Sequence, residues 1–423
     1  MERLLQYVWK HRLFPPEGLT TTDGTEVEVI DQGLENTDAG PDFFNSKVRI
    51  GKTMWAGNVE IHLRTSDWFR HHHDVDPVYN SIILHVARDV DAELERDDGS
   101  PIPQMQMDCP DEIRQNYAEL IQTDHRPPCY NTIRALPRLT ILDWLDYLRV
   151  DRLEDKVERV ENTVKMVGGD WDAAFFITLA RGFGFGLNGD MFERWARNIP
   201  LRKAARIYDR LDLLEALFFG QAGILEDETG DEYYMALKME YDYMCRKYEL
   251  MPLDGCGWSF FRLRPPNFPH IRIAQLACLF HVAPRIFSVL MEAADIDSLR
   301  SLLRVGTSAY WNTHYAFGGV TKSRTKTLSD SSLDILIINV IIPYMYAWGK
   351  YRGRDELFDR ASDLAEKIKP EHNYITRMWE ACGILAQHSG DSQALIQLKK
   401  EYCDKRKCIY CRIGHTYLNR KVK

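Results

Sequence analysis

The sequence predicts an α+β protein, with an α/β core at the N-terminus followed by a large all-α domain. Strand-like alternation of apolar and polar residues is confined to roughly the first 110 positions. Helical spacing dominates after Pro127-Pro128, where the character of the chain changes. At 423 residues the chain supports two or three domains, each with its own core. The expected division is 1–130, 131–395 and a basic, cysteine-containing tail, 396–423.

The elements follow in order. Residues 2–12 are amphipathic and predict a helix, and 26–31 a strand. Between Gly40 and Leu63 the chain runs GPDFFNSKVRIGKTMWAGNVEIHL. Residues 46–50 alternate, Gly51-Lys52 forms a turn, and 53–63 alternate again, which predicts a hairpin. On its second strand Val59, Ile61 and Leu63 share one face and Asn58, Glu60 and His62 the other. A short helix is expected over 66–73 and an apolar strand over 81–87. His85, inside that strand, reads as a satisfied strand histidine near the polar face. The run His71-His72-His73-Asp74-Val75-Asp76 has metal-binding chemistry but reads as a solvated surface, because adjacent side chains on a loop diverge.

Period 2 presents Glu60 and His62 together, with Asp42 at the mouth of the neighbouring strand. An aspartate, a glutamate and a third polar group so placed are a set that can hold Mg²⁺ or Mn²⁺ and activate a water. This arrangement resembles the PD-(D/E)xK nuclease superfamily, with Pro41-Asp42 as the "PD" and Glu60-Ile61-His62 as the "ExK". The resemblance implies a restriction-endonuclease-like core of helix, three strands, helix and strand. It also implies an outer acidic ligand on the first helix, where Glu2 stands. The family's lysine is replaced by His62, which is only partly charged at neutral pH and would serve as base or ligand. The expectation is a divergent Mg²⁺-dependent nuclease in which Asp42 and Glu60 hold the metal and His62 serves the water. The alternative is a catalytically inactive nucleic-acid- or protein-binding protein on a nuclease-like core. Hydrolysis of another phosphoester would use the same trio.

Charge distribution bears on nucleic acid as the expected partner. The first ~130 residues carry about twice as many acidic as basic side chains. The tail, LKKEYCDKRKCIYCRIGHTYLNRKVK, is strongly basic and is the expected electrostatic contact. It also holds Cys403, Cys408 and Cys411, spaced C-x4-C-x2-C, with His415 four residues on. C-x2-C brings two thiolates to one tetrahedral metal, and a histidine completes a zinc site. An iron–sulfur cluster with Cys129 or Cys382 as a remote fourth ligand is the alternative, and three ordinary thiols the plainest one.

Beyond the Pro pair, helical spacing predicts helices over 136–149, 149–164, 171–181, 190–198, 201–220, 232–248, 269–282, 286–293, 298–305, 333–347, 354–368, 374–387 and 391–403. Three segments there invite a functional reading. Gly182, Gly184, Gly186 and Gly189 follow a helix rather than a strand and lack a P-loop lysine, which makes them a helix stop. Residues 261–269 with Arg272 mix arginines, aromatics and prolines, as a stiffened loop does. Lys322, Arg324 and Lys326 form a short basic segment. The most apolar run, 333–347, contains Asp334, Asn339 and Pro343 and is too short to span a membrane. Nine scattered cysteines and no signal-peptide pattern suit the cytoplasm.

Across its length the chain also resembles an uncharacterised bacterial family known only as a domain of unknown function. The resemblance rests on DAGPDFF, GNVEIH with Asp67-Trp68, RPPNFPHIRIAQLA and the cysteine-containing tail. It implies no activity.

Overall fold

In the first of two folded units an eight-residue and a twelve-residue strand pair as a hairpin at the centre of a sheet. The structure, a computed structural model, describes all residues except 16, 37, 124–126, 227–230 and 421–423, and only the backbone of Cys256. Unit 1 comprises Met1–Trp144 together with Leu398–Lys423, and unit 2 is Leu145–Gln397. The tail is therefore part of the N-terminal unit, although its last three residues lie outside the described ones.

Helix α1 (Glu2–Lys10) leads into β1 (Val27–Asp31), β2 (Leu34–Glu35), β3 (Phe43–Ile50) and β4 (Thr53–Arg64). A short helix, α2 (Asp67–Arg70), then β5 (Ile82–Asp89) and β6 (Gln104–Gln106) complete the sheet. Its order is β1-β3-β4-β5-β6, with β2 also on β3. β3 runs antiparallel to both β1 and β4, and β5 runs parallel to β4. The β3–β4 turn needs a positive φ at its first residue, and Gly51 supplies it at +57°. A second close approach sits at Gly57, where a Cβ would meet Ile83 Cγ2 at 2.4 Å. The sheet is pinned on one side by α1, which packs against β4 and buries Leu4, Leu5, Val8 and Trp9.

Helix α3 (Asp111–Gln122) begins with the acidic pair Asp111 and Glu112. Ile113, Asn116 and Leu120 form its buried stripe, so the helical period was present beneath the charges. Helix α4 (Tyr130–Ile133) and the long α5 (Arg138–Met166) follow.

Unit 2 is mainly helical around one large core, with longer irregular stretches over 249–268 and 304–329. The helix expected over 201–220 is two, Leu201–Ala204 and Leu211–Gln221. Arg210 leaves helical geometry, and the second piece is buried on every side from Leu214 to Gln221. The apolar run also differs from expectation. It belongs to a continuous 23-residue helix, Asp330–Arg352, long and apolar enough to cross a membrane, but 67% of its most apolar window is buried in the protein. Pro343 does not end it, because a π turn over Ile337–Ile341 precedes the proline and absorbs the missing hydrogen bond.

Candidate metal centre

Asp42 stands one residue before β3, and a bulge immediately after it sets its direction. Phe43 pairs with Val59, but Ser46 pairs with Gly57, and Asn45 takes a positive φ of +57° in the shifted register. Asp42 is thereby held by two hydrogen bonds to β4 and one to α1. Its N–H donates to Glu60 Oε2 at 3.0 Å, and its carboxylate accepts from Ile61 N–H at 3.0 Å and from Gln6 Nε2 at 2.8 Å. Gln6 lies on α1, as does Glu2, whose charge bears on both Asp42 and Glu60.

Glu60 and His62 share a face of β4, as the alternation predicts, but that face is not open to solvent. Glu60 is 5% exposed and His62 1%. The cover is α2 and the segment that follows it, with Trp68 and Tyr79 buried among Ile82, Leu94 and Ile102. His85 faces them from β5, where it pairs in register with Glu60.

The histidine run is a solvated surface only in part: His71 and His72 are exposed and His73 is half-buried, but His71 and His73 turn onto His62, and His72 is left-handed, with φ of +61°. A single left-handed residue between the two lets side chains two positions apart converge, which the loop argument had not allowed. His71 Nδ1 lies 3.1 Å from His62 Nε2, and His73 stacks on Tyr79 with ring centroids 3.8 Å apart. Glu60 Oε1 is 3.5 Å from His62 Nε2 and 3.3 Å from His73 Nε2. The donor atoms of His62, His71 and His73 all fall within 4.8 Å of one another. An ion with bonds of about 2.0–2.1 Å separates its donors by about 3.0–3.4 Å, close to these spacings. His62 Nδ1 meets His85 Nε2 at 2.9 Å, so a second imidazole fixes the ring from behind.

The electrostatics of this cluster are unbalanced. Burial, with Glu60 beside it, pushes the Asp42 carboxyl up to about 8. Burial likewise pushes Glu60 up to about 8, with Glu2 adding to the rise. The imidazoles go the other way: burial, then His85, His73 and His71, push His62 down to about 2. His85 is down to about 3, again through burial, and burial lowers His73 as well. Among the described residues, His73 Nε2 and His85 Nδ1 are buried without a hydrogen-bond partner. A bound cation would favour both the ionised carboxylates and the neutral imidazoles, so the donor set fits a metal.

The cysteine tail lies elsewhere in unit 1. His415 does not turn toward the cysteines: its Nδ1 meets Tyr7 Oη at 2.7 Å and its ring lies 4.4 Å from that of His11. Among the described residues no three cysteine sulfurs lie within 4.8 Å of one another, and burial, with Cys411, Cys129 and Cys408 adding to it, raises the Cys403 thiol. Cys382 belongs to unit 2, where its Sγ donates to Met378 O.

Several cations expected at phosphate are engaged within the protein. In the tail Lys399 pairs with Asp404, Lys405 with Glu401, Arg412 with Asp143 and Arg420 with Glu119, and Arg406 donates to Leu120 O and Thr123 O. Arg272 is buried over the Phe185 ring and donates to Asn267 and Gln275. Lys326 is buried and donates to Trp311 O and Asn312 O, whereas Lys322 and Arg324 are exposed. Of the glycines, Gly182 makes room for Val340 and Leu336, and Gly184 for Gly189, as a helix stop requires.

The family described as Protein of unknown function (DUF2851) has a model that matches residues 2–374. The chain belongs to that family. The match takes in Asp42, Glu60, the four histidines and Cys129, and stops before the cysteine tail. Comparison with curated proteins and with solved structures gave no match.

Proposed function

We propose that this DUF2851 protein is a divergent, metal-dependent hydrolase of nucleic-acid phosphodiesters. The observation that carries the reading is the meeting of the His62, His71 and His73 donor atoms within 4.8 Å of one another, with Glu60 Oε1 near two of them and Asp42 hydrogen-bonded to Glu60. Support for a PD-(D/E)xK-like, restriction-endonuclease-like core comes from the order helix, three main strands, helix and strand, with β5 parallel to β4. Glu60, His62, His71 and His73 would hold the ion. Three imidazoles favour Mn²⁺, Fe²⁺ or Zn²⁺ over Mg²⁺ as the occupant. When bound, such an ion lowers the pKa of a water and screens phosphate charge. Asp42 holds Glu60 through its own N–H and is the nearest carboxylate left to accept a proton. His62, with its basicity so far depressed, suits a ligand better than a base. Glu2 acts on both carboxylates from α1.

A non-catalytic, metal-stapled binding protein is the second reading. It is favoured by the acidic N-terminal region and by the internal pairing of the tail's cations. The deciding experiment incubates single- and double-stranded DNA and RNA with Mn²⁺, Zn²⁺ or Mg²⁺, comparing wild type with Glu60→Ala and Asp42→Ala. Metal-dependent cleavage lost in both variants supports the hydrolase. Cleavage that survives both variants, or metal binding with no cleavage of any substrate, removes it.

A further inference from the structure

Unit 2 contains two long stretches of chain without a single acidic residue. Residues 255–291 carry Arg262, Arg264, Arg272 and Arg285, and residues 298–329 carry Arg300, Arg304, Lys322, Arg324 and Lys326. At the chain's own frequency, 62 acids in 423 residues, each stretch would hold about five. The two take in the irregular segments 255–268 and 304–329, and both segments are fastened to one helix, Pro269–Val282. His270, at the start of that helix, has its ring 5.6 Å from Phe260 of the first segment and 5.9 and 5.6 Å from Trp311 and Phe317 of the second. Farther along, Arg272 donates to Asn267 Oδ1 at 2.6 Å and Gln275 to Lys326 O at 3.0 Å.

The second segment folds back on itself as an arm. Thr321 N–H donates to Thr313 O at 2.7 Å and Arg324 N–H to Asn312 O at 2.9 Å, and His314 pairs with Val320. Lys322 and Arg324 therefore stand on the returning half of a hydrogen-bonded arm. Arg272 and Lys326 are buried, and Arg300 and Arg304 are paired with Asp334 and Asp330. Arg262, Arg264, Lys322 and Arg324 are exposed, and among the described residues none of these four forms an ion pair. In the tail, by contrast, Lys399, Lys405, Arg412 and Arg420 are all paired. Two aromatic rings stay in water beside the first pair. Phe260 is exposed and Phe261 is 74% exposed, with the Arg262 guanidinium 5.0 Å from its ring centroid. The carboxylates beside the arm are Asp231 and Glu232, which line a cleft with Tyr310, His314 and Val320. Asp231 is engaged there, accepting from Gly318 N–H at 2.9 Å and from Tyr310 Oη.

Cations without carboxylate partners, interleaved with exposed rings, are the chemistry that holds a single strand of nucleic acid. The cations meet phosphates, and the rings accept bases that have left their stack. A duplex offers its phosphates but keeps its base faces covered. We propose that this loop face of unit 2 binds single-stranded DNA or RNA, with Arg262, Arg264, Lys322 and Arg324 on phosphates and Phe260 and Phe261 against bases. Strandedness and grip are thereby added to the nucleic-acid reading above, on which this inference rests. The electrostatic contact expected of the basic tail moves to unit 2.

The test is fluorescence anisotropy with the full chain in EDTA, so that nothing is cleaved. The probes are labelled oligo-dT and oligo-U of about 20 nucleotides, longer than one such binding site, and a DNA duplex of the same length. Oligo-dT against oligo-U separates DNA from RNA. The single strands are expected to bind more tightly than the duplex, and Phe261→Ala to weaken them about tenfold. Arg262→Gln with Arg264→Gln, and Lys322→Gln with Arg324→Gln, should each weaken binding and reduce the salt slope by about 1.4. Lys405→Gln with Lys407→Gln, in the tail, should bind as the parent does. All these side chains are exposed, so the variants keep the fold, which an unchanged Tm checks. No binding of either single strand, tighter binding of the duplex, undiminished binding in the loop variants, or an equal loss in the tail variant overturns the proposal. Metal-dependent cleavage by a protein whose loop variants bind normally removes this inference and leaves the hydrolase. Loop-dependent binding by a protein that cleaves nothing removes the hydrolase and leaves this inference.

Discussion

Buried polar groups gather in both units, but on opposite terms. In unit 2, Asp391 is 3% exposed and pairs with Arg149, which also reaches Asp146 at 3.0 Å. Arg152 donates to Gln393 and Gln397, Lys156 to Asn339 and Gln393, and Gln397 to Asp151 and Asp155. Opposite charges meet there and compensate one another, although among the described residues Arg149 Nε and His388 Nδ1 are left without a hydrogen-bond partner. In unit 1, Glu60 meets Asp42 and Glu2, and His62 meets three more imidazoles, so like meets like. The first cluster is the pattern of structure, and the second that of a site completed from outside.

The contrast is broken most directly at its self-sufficient end. Arg149→Ala strands Asp391 in the core and is expected to cost about 3 kcal/mol in denaturant unfolding. A cost near zero would mean that the unit 2 network is ornamental. At the other end, saturating metal supplies what unit 1 lacks. Mn²⁺ or Zn²⁺ at about a hundred times its Kd should stabilise the metal-free protein by about 3 kcal/mol. His71→Ala and Glu60→Ala should abolish that gain, and an equal gain in either would place the ion elsewhere. A smaller effect of unusual sign follows at Glu60. Glu60→Gln removes a buried charge that nothing neutralises, so without metal at pH 8 it should stabilise by about 1–3 kcal/mol. Destabilisation would show that the carboxylate is satisfied within the fold.

The finest discrimination is by pH. Asp42 and Glu60 titrate at about 8 in the fold, far above their unfolded values, so their contribution favours the fold in acid and is lost as pH rises through 8. His62 and His85, at about 2 and 3, favour the fold above their unfolded pKa of about 6.5 and lose that contribution as pH falls below it. From about 6.5 to 8 only the carboxylates change, and below that the two effects oppose. The Tm of metal-free protein should therefore fall between pH 6.5 and 8.5 and stay nearly flat just below. Bound metal, or Glu60→Gln, should reduce the alkaline fall, and an unchanged fall in Glu60→Gln would assign it to other groups.

How much of this was legible in the sequence depends on whether the signal is local. Alternation along β4 puts Glu60 and His62 on one face, and the hairpin brings Asp42 alongside, all within about twenty residues. Apart from the helix expected over 201–220, which is split ahead of Leu211, most helices of unit 2 were legible in the same way, including the one that runs through Pro343. His71 and His73 were not, since their convergence depends on one backbone angle at His72 that composition does not encode. A histidine pair spaced i, i+2 shortly after an ExH strand is the signal that would have raised them. His415 looked like a ligand by spacing, and Tyr7, far away in sequence, draws it off.

The last 26 residues of unit 1 follow unit 2 in the chain. Synthesis from the N-terminus therefore delivers the whole sheet, then the entire helical unit, before the segment that fastens onto α3 and α4 exists. The strands must wait, partly assembled, through the translation of about 250 further residues. A stop codon anywhere in that interval would leave a sheet without its closing piece, which makes the N-terminal half on its own a poor choice for expression.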